Sequence, residues 1–276
     1  MLYNYNKTGS VMKFLKTSLM VACACAALAS TNAYAEKFYG DSSISLLYSD
    51  HYETFGGTRD TASVFTFENA TGHDWGDTFL FFDRTMWHGS SQERYGNAFS
   101  DGGDQFYGEF APNLSLSWLT GQDLSFGPIK DIRLSGQYEY GGGTSANNLM
   151  YGVGLSWDVP GLVYFNTNFY YVNNNQSGGA GGQKDDLQAT VSWKAPIESG
   201  SALFVFDGYI DYSSAVGGDH GADFHFNPQL KLDIGNFAGN PGVLYAGFEY
   251  SYWRNKFGSK AIDTENAISA LVKFHF

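Results

Sequence analysis

The chain has 276 residues, of which 17% are aromatic and only 16% charged, with 34 Gly and 6 Pro. A soluble globular domain carries about 25% charged residues, and this composition excludes a disordered chain, a coiled coil and a collagen. The only apolar stretch near the length of a membrane-spanning helix, about 20 residues, lies close to the first residue, which excludes a polytopic helical membrane protein.

The first 35 residues have the features of a secretory signal peptide. Two lysines precede an apolar run over residues 19–29, and a small-x-small cleavage motif ends at Ala35. We therefore expect translation to start at Met12, residues 1–35 to be removed, and residues 36–276 to form the mature domain.

Removal of that segment would leave 13 basic residues against 28 acidic ones and no cysteine. A chain without thiols forms no disulfide and offers no cysteine nucleophile or cysteine metal site. The excess of acid argues against nucleic acid or anionic lipid headgroups as partners, because both would be repelled.

From Ser42 onward, apolar residues alternate with small or polar ones, which is the period of a half-buried β-strand. The last segment is the clearest, since Ile268, Val272 and Phe274 share one face. Twelve such segments are expected, over residues 43–52, 62–70, 76–87, 105–118, 129–140, 147–158, 161–173, 185–195, 201–213, 222–234, 242–253 and 264–276.

An even number of strands, each about ten residues long, is typical of a closed antiparallel barrel that crosses an outer membrane. We therefore predict an all-β transmembrane barrel with both termini in the periplasm. Turn-like connections at 158–161 and 240–242 would face the periplasm, and longer glycine-rich ones, such as 173–184, would face the outside. The alternative is a soluble exported β-sandwich, which needs fewer outward aromatic residues and no terminal Phe.

The most specific motif of the first half is Asp123-Leu124-Ser125-Phe126-Gly127-Pro128, with Lys130 after it and the block 106–112 before it. These segments resemble the Tsx family of nucleoside-specific outer-membrane channels. The segment Asp74-Trp75-Gly76-Asp77 and the pair Phe55-Gly56 also match, so that the resemblance extends over residues 44–131. It implies a monomeric twelve-stranded barrel whose narrow, aromatic-lined lumen passes nucleosides down their gradient. It also implies that external loops act as receptors for phage or colicins.

Strand parity predicts which side chains line the lumen. In the segment 77–83, acids at both ends share a face with Phe79 and Phe81, and a carboxylate on the lipid face would be costly. The same argument turns residues of three other strands inward, and the family match adds one residue from a predicted external loop. The candidate lumen residues are Phe55, Glu68, Asp77, Phe79, Phe81, Asp83, Tyr107, Glu109 and Arg133.

Rings and carboxylates together suit a flat, neutral solute that carries hydroxyls, because bases stack on aromatic rings and acids accept hydrogen bonds. We therefore expect a passive channel for nucleosides or similar small solutes, without a cofactor or a metal. No Ser-His pair with an orienting acid lies on one face, so an enzyme is not expected. Two alternatives stay open: the charged residues could form only a structural network, and the barrel could act mainly as a surface receptor or adhesin with little solute flux.

Overall fold

Twelve antiparallel strands close into a barrel in the computed structural model, which describes residues 37–54, 58–88, 105–142, 147–174, 185–215 and 221–276. Each strand pairs with its neighbours in chain order. The strands are β1 (Lys37–Thr54), β2 (Thr58–His73), β3 (Gly76–Trp87), β4 (Gln105–Ser115), β5 (Ile129–Gly142), β6 (Asn147–Trp157), β7 (Tyr164–Asn174), β8 (Asp186–Ser199), β9 (Ala202–Ser213), β10 (Asp223–Asp233), β11 (Leu244–Arg254) and β12 (Glu265–His275).

The first and last strands close the sheet. β1 pairs with β12 from Ser43 opposite His275 to Tyr48 opposite Ala270. Lipid offers no hydrogen-bond partner to a free strand edge, so closure removes the two edges that would otherwise be exposed in a bilayer. The prediction of a closed, twelve-stranded, antiparallel all-β barrel is confirmed.

The two faces of the sheet differ as the period of two predicts. On β12, Ile268 and Val272 are 62% and 50% exposed on the outer face, whereas Ser269 and Lys273 between them are buried. The outer face is therefore apolar and the inner face polar. This is the arrangement of a barrel with lipid outside and a hydrated interior.

The connections are divided between the two ends of the barrel. We call the end that carries Lys37 and Phe276 the terminal rim and the opposite end the far rim. The terminal rim has the turn at 74–75 and the short connection at 200–201, as well as two short helices, α1 (Leu116–Thr120) and α2 (Ile234–Phe237). No helix in the described ranges is long and apolar enough to cross a membrane.

Helix α1 corrects the sequence analysis, which extended the fourth strand to residue 118. The alternation of serine with apolar residues reads as a strand there, but Ser115 Oγ accepts a hydrogen bond from the amide of Trp118 at 3.2 Å and begins a helix. Gly121 ends the helix with φ 67°. Further along this connection, the amide of Ser125 donates to Asp123 at 2.9 Å and lowers the pKa of that carboxyl.

One close approach of strands depends on glycine. Gly208 of β9 has φ 151°, and a Cβ atom there would lie 2.4 Å from the carbonyl oxygen of Asn227. Opposite it, Pro228 interrupts the hydrogen bonding of β10 because proline has no amide hydrogen. Trp193 covers this position on the outer face and stacks with Phe226 at a centroid distance of 6.1 Å.

Candidate lumen site

Two ion pairs identify the inner face of the barrel. Arg133 on β5 donates to Asp77 on β3 at 2.8 Å, and strand β4 lies between them. Lys273 on β12 pairs with Glu68 on β2, with β1 between them. Side chains of strands that are not neighbours meet only on the concave face of a curved sheet. These four side chains therefore point into the lumen.

These contacts belong to a belt of ion pairs nearer the terminal rim. Its third member joins Lys231 on β10 to Asp207 on β9 at 2.5 Å. Arg133, Lys231 and Lys273 are 4%, 3% and 6% exposed, so each cation is held against the wall instead of projecting into free water. We call these three pairs the paired belt, which consists of Asp77–Arg133, Asp207–Lys231 and Glu68–Lys273.

Three predicted aromatic residues form a continuous line on the same face. The rings of Phe79 and Phe81 are 6.0 Å apart between centroids, and those of Phe81 and Tyr107 are 5.8 Å apart. Aromatic pairs at this separation and tilt attract each other. The next residue on β3, Phe82, is 40% exposed on the outer face and stacks there with Phe106. Alternate residues of one strand thus carry a lumen line and a lipid-facing pair.

Beyond the paired belt, the lumen holds carboxylates whose hydrogen-bond donors are neutral. Asp83 accepts from Thr66 Oγ1 at 2.6 Å, and Glu109 accepts from Tyr107 Oη at 2.7 Å and from Gln137 Nε2 at 2.9 Å. Within the described ranges, no ion pair reaches either carboxylate. A neutral donor satisfies an oxygen but leaves the negative charge of an ionised carboxylate in place.

Three further acids have the same character. Each accepts a hydrogen bond from an uncharged side chain and has no ion pair in the part of the chain that the structure describes: Glu139 from Asn148 at 2.9 Å, Asp211 from Thr190 at 2.5 Å, and Glu249 from Gln229 at 2.8 Å. We call Asp83, Glu109, Glu139, Asp211 and Glu249 the carboxylate belt.

The carboxylate belt is assembled from opposite parts of the wall. Glu109 on β4 lies close enough to Asp211 on β9 and to Asp83 on β3 to interact with both electrostatically. Tyr209 on β9 interacts in the same way with Glu249 on β11. Five acids from five strands therefore act on one section of the lumen.

The second half of the chain contributes residues that the sequence analysis did not select. Asp207, Tyr209 and Asp211 alternate along β9, and Glu249 has the same inward parity on β11. The alternation of these two strands places all four residues on the more polar face, which is the signal in the sequence that indicates them.

One predicted residue, Phe55, lies outside the described residues. The strand that precedes it is described, and its last two residues, Glu53 and Thr54, are both 4% exposed. His225 and Asp223 are alternate residues on the inner face of β10, and each contacts a neighbouring strand: His225 Nε2 lies 3.1 Å from Ser251 Oγ, and Trp253 Nε1 donates to Asp223 at 2.5 Å. The described residues contain no group of three or more potential metal ligands.

An apolar outer face, a closed sheet and a charged, aromatic inner face define a transmembrane β-barrel of the porin-like, channel-forming class. The family profile of the nucleoside-specific channel-forming protein Tsx matches residues 43–273. The chain belongs to this family, as the resemblance indicated. The proteins of this family form channels, which agrees with the expectation that this protein is not an enzyme.

Individual relatives are more distant. The outer membrane protein OmpK of Vibrio parahaemolyticus is 33% identical over 116 residues, which are 40% of this chain and 41% of OmpK, so the match spans about two fifths of that relative. The Tsx protein of Escherichia coli O157:H7 is 24% identical over 212 residues, 74% of this chain and 70% of that protein. The solved structure of a KdgM porin overlaps 85% of this chain and 99% of its own, with a TM-score of 0.46 and 10% identity.

Proposed function

We propose that the barrel is a passive outer-membrane channel for nucleosides or similar small neutral solutes. The observation that carries the proposal is the line of Phe79, Phe81 and Tyr107 beside the carboxylate belt. A base that stacks on one such ring gains about 1–3 kcal/mol, and neighbouring acids accept hydrogen bonds from sugar hydroxyls or exocyclic amines.

Affinity is expected to be weak. A channel must release the solute that it binds, and a dissociation constant near 1 mM corresponds to about −4 kcal/mol. The carboxylate belt favours neutral solutes and repels phosphates, so nucleosides should pass and nucleotides should not. The driving force is the concentration gradient, and no covalent step or cofactor is involved.

Block of the ion current by nucleosides tests this proposal. In a planar bilayer, millimolar adenosine should reduce the single-channel current of the wild-type protein, and AMP should have much less effect. Phe81→Leu should weaken adenosine block about fivefold or more, because one stacked ring is lost. Phe82→Leu is the matched control on the outer face of the same strand, and adenosine should block its current as strongly as that of the wild type. Equal block by AMP and adenosine would contradict the proposed selectivity.

We further propose that residues 1–35 direct export, that the termini lie in the periplasm, and that the barrel is monomeric in outer-membrane lipid. The signal-peptide motif and the short turn at the terminal rim support this orientation. Heat-modifiable migration of the outer-membrane fraction on a detergent gel, with mass spectrometry of the first residue, tests localisation and cleavage together. A barrel that conducts no current but still binds phage or colicins would favour the receptor role instead.

A further inference from the structure

The connection between β11 and β12 folds inward at the far rim. It contains a single 3-10 turn, Lys256–Gly258. The amide of Gly258 donates to Asp223 of β10 at 3.1 Å, and Lys256 forms an ion pair with Glu265 of β12. Both acids lie on inward-facing positions, so this connection contacts the inner wall instead of extending away from the barrel.

The ammonium group of Lys256 occupies a pocket made by three strands. Its Nζ atom lies 5.0 Å from the ring centroid of Trp253 on β11 and 5.9 Å from that of Tyr52 on β1, and it pairs with Glu265 on β12. The side chains of Lys256 and Glu265 are 12% and 2% exposed. Cation–π contacts and a shielded ion pair hold a long side chain in one place far better than an exposed pair does.

The backbone on either side of Lys256 adopts a constrained conformation that directs the lysine side chain into this pocket. Asn255 and Phe257 have φ of 51° and 58° and are the two non-glycine residues with positive φ in the described chain. Asparagine tolerates this region, but an aromatic residue there is strained, and such strain persists only where the surroundings enforce it. Asn255 Nδ2 donates to the carbonyl oxygen of Ala222 at 2.7 Å, and the ring of Phe257 packs edge-on against Trp253.

Glu265 is more than a partner for Lys256. It also accepts hydrogen bonds from Ser251 Oγ at 2.7 Å and from the amide of Glu53 at 3.0 Å. Without the ammonium group, a buried carboxylate would add its negative charge to the far side of a lumen that already contains the carboxylate belt. Lys256 is therefore placed to offset negative charge at the far mouth.

We propose that Lys256 is a specificity-determining residue of the channel, which limits cation permeation at the far mouth by neutralising Glu265. The acids of the carboxylate belt attract small cations, and these would compete with a neutral solute for the narrow path. A fixed cation at the mouth reduces that attraction. The inference rests on the channel activity proposed above but not on the identity of the solute.

Ion selectivity of variants tests the proposal. Reversal potentials are measured in planar bilayers with a tenfold KCl gradient. Lys256→Met keeps most of the apolar stem and removes the charge, and it should raise the K⁺ to Cl⁻ permeability ratio about two- to fivefold. Glu265→Gln leaves Lys256 without its carboxylate and should shift the ratio in the opposite direction. Lys256→Arg should stay near wild type, because it preserves the charge.

A matched control lies on the same connection. Lys260 is exposed, so Lys260→Met removes an equal charge outside the pocket and should change the ratio much less than Lys256→Met does. Heat-modifiable migration confirms that each variant forms a barrel. If Lys256→Met does not assemble, Glu265→Gln alone tests the inference, through the direction in which it shifts the K⁺ to Cl⁻ permeability ratio.

Three negative results are distinguishable. A wild-type barrel that conducts ions while Lys256→Met and Glu265→Gln keep its reversal potential would overturn this inference alone. A wild-type barrel that passes no ions would overturn both this inference and the channel function. A shift in Lys260→Met as large as that in Lys256→Met would also overturn the inference, because general surface charge would then explain the effect.

Discussion

Arg133 on β5 and Asp77 on β3 are joined at 2.8 Å across the inner face of β4. Asn113 of β4 completes the contact, since its Nδ2 donates to the other oxygen of Asp77 at 2.7 Å. Three consecutive strands are thus tied together on the lumen side by one ion pair and one hydrogen bond.

Arg133→Met is expected to destabilise the barrel. Loss of one partner of a fully buried pair costs about 3–5 kcal/mol, and we expect about 1–3 kcal/mol here because the Asp77 side chain is 39% exposed. Urea unfolding in detergent micelles measures this loss as the difference in the free energy of unfolding between the variant and the wild type. The double variant Asp77→Asn/Arg133→Met should recover part of the loss, and a double variant as unstable as the single one would contradict this account.

Lysine placed on the two faces of β3 should have opposite consequences. Phe82→Lys puts a charge on the lipid side, at a cost of about 2–4 kcal/mol near the bilayer midplane. Thr85→Lys, on the same strand, points inward and should cost less than about 1 kcal/mol. The two variants are compared by their yield of heat-modifiable barrel and by the urea concentration at the midpoint of unfolding. Equal losses would mean that the strand faces are assigned wrongly.

Removal of two charges from the carboxylate belt should relax discrimination against phosphates. In Glu109→Gln/Asp211→Asn, the rate of AMP permeation relative to adenosine should rise about two- to tenfold, because repulsion across the lumen is reduced. Liposome swelling measures both rates. The control Asp158→Asn/Glu198→Gln removes two exposed acids near the terminal rim and should leave the ratio close to wild type. An unchanged ratio of AMP to adenosine permeation in the lumen variant would show that the carboxylate belt does not determine selectivity against phosphates.

Gly208→Ala should be costly for a backbone reason. Its φ of 151° is unfavourable for alanine, and the added Cβ would meet the carbonyl oxygen of Asn227 at 2.4 Å. We expect a loss of about 2–3 kcal/mol. Gly136→Ala is the control in another strand, since the nearest atom to its added Cβ belongs to Pro112 at 3.6 Å, an ordinary contact. The two urea midpoints should therefore differ clearly, with Gly136→Ala near wild type.

The strands could be predicted from sequence because the alternation of apolar and polar residues has a direct physical cause, lipid on one side and water on the other. The inward direction of Asp77 and Asp83 followed from the cost of a carboxylate in lipid. Ser115 shows the limit: its alternating neighbours fit a strand, but its hydroxyl caps a helix that turns the chain away from the wall.

Contacts across the lumen could not be predicted in the same way. Parity assigns Arg133 to the inner face, but its pairing with Asp77 depends on the curvature that brings β3 and β5 together over β4. Lys256 is a stronger example, because it comes from a connection, where no alternation exists to indicate a direction. Its position depends on two positive φ values and on a carboxylate from the following strand.

The pairing of β1 with β12 also constrains the order of assembly. Ser43 and His275 are partners although they lie 232 residues apart in the sequence, so the barrel cannot close until the last strand has been synthesised. Any sheet formed by the preceding strands alone would keep two unsatisfied edges and an apolar face, and such edges promote aggregation. Contacts between residues so distant in sequence form slowly. The chain must therefore be protected from association with other copies until β12, its last eleven strand residues, has been added.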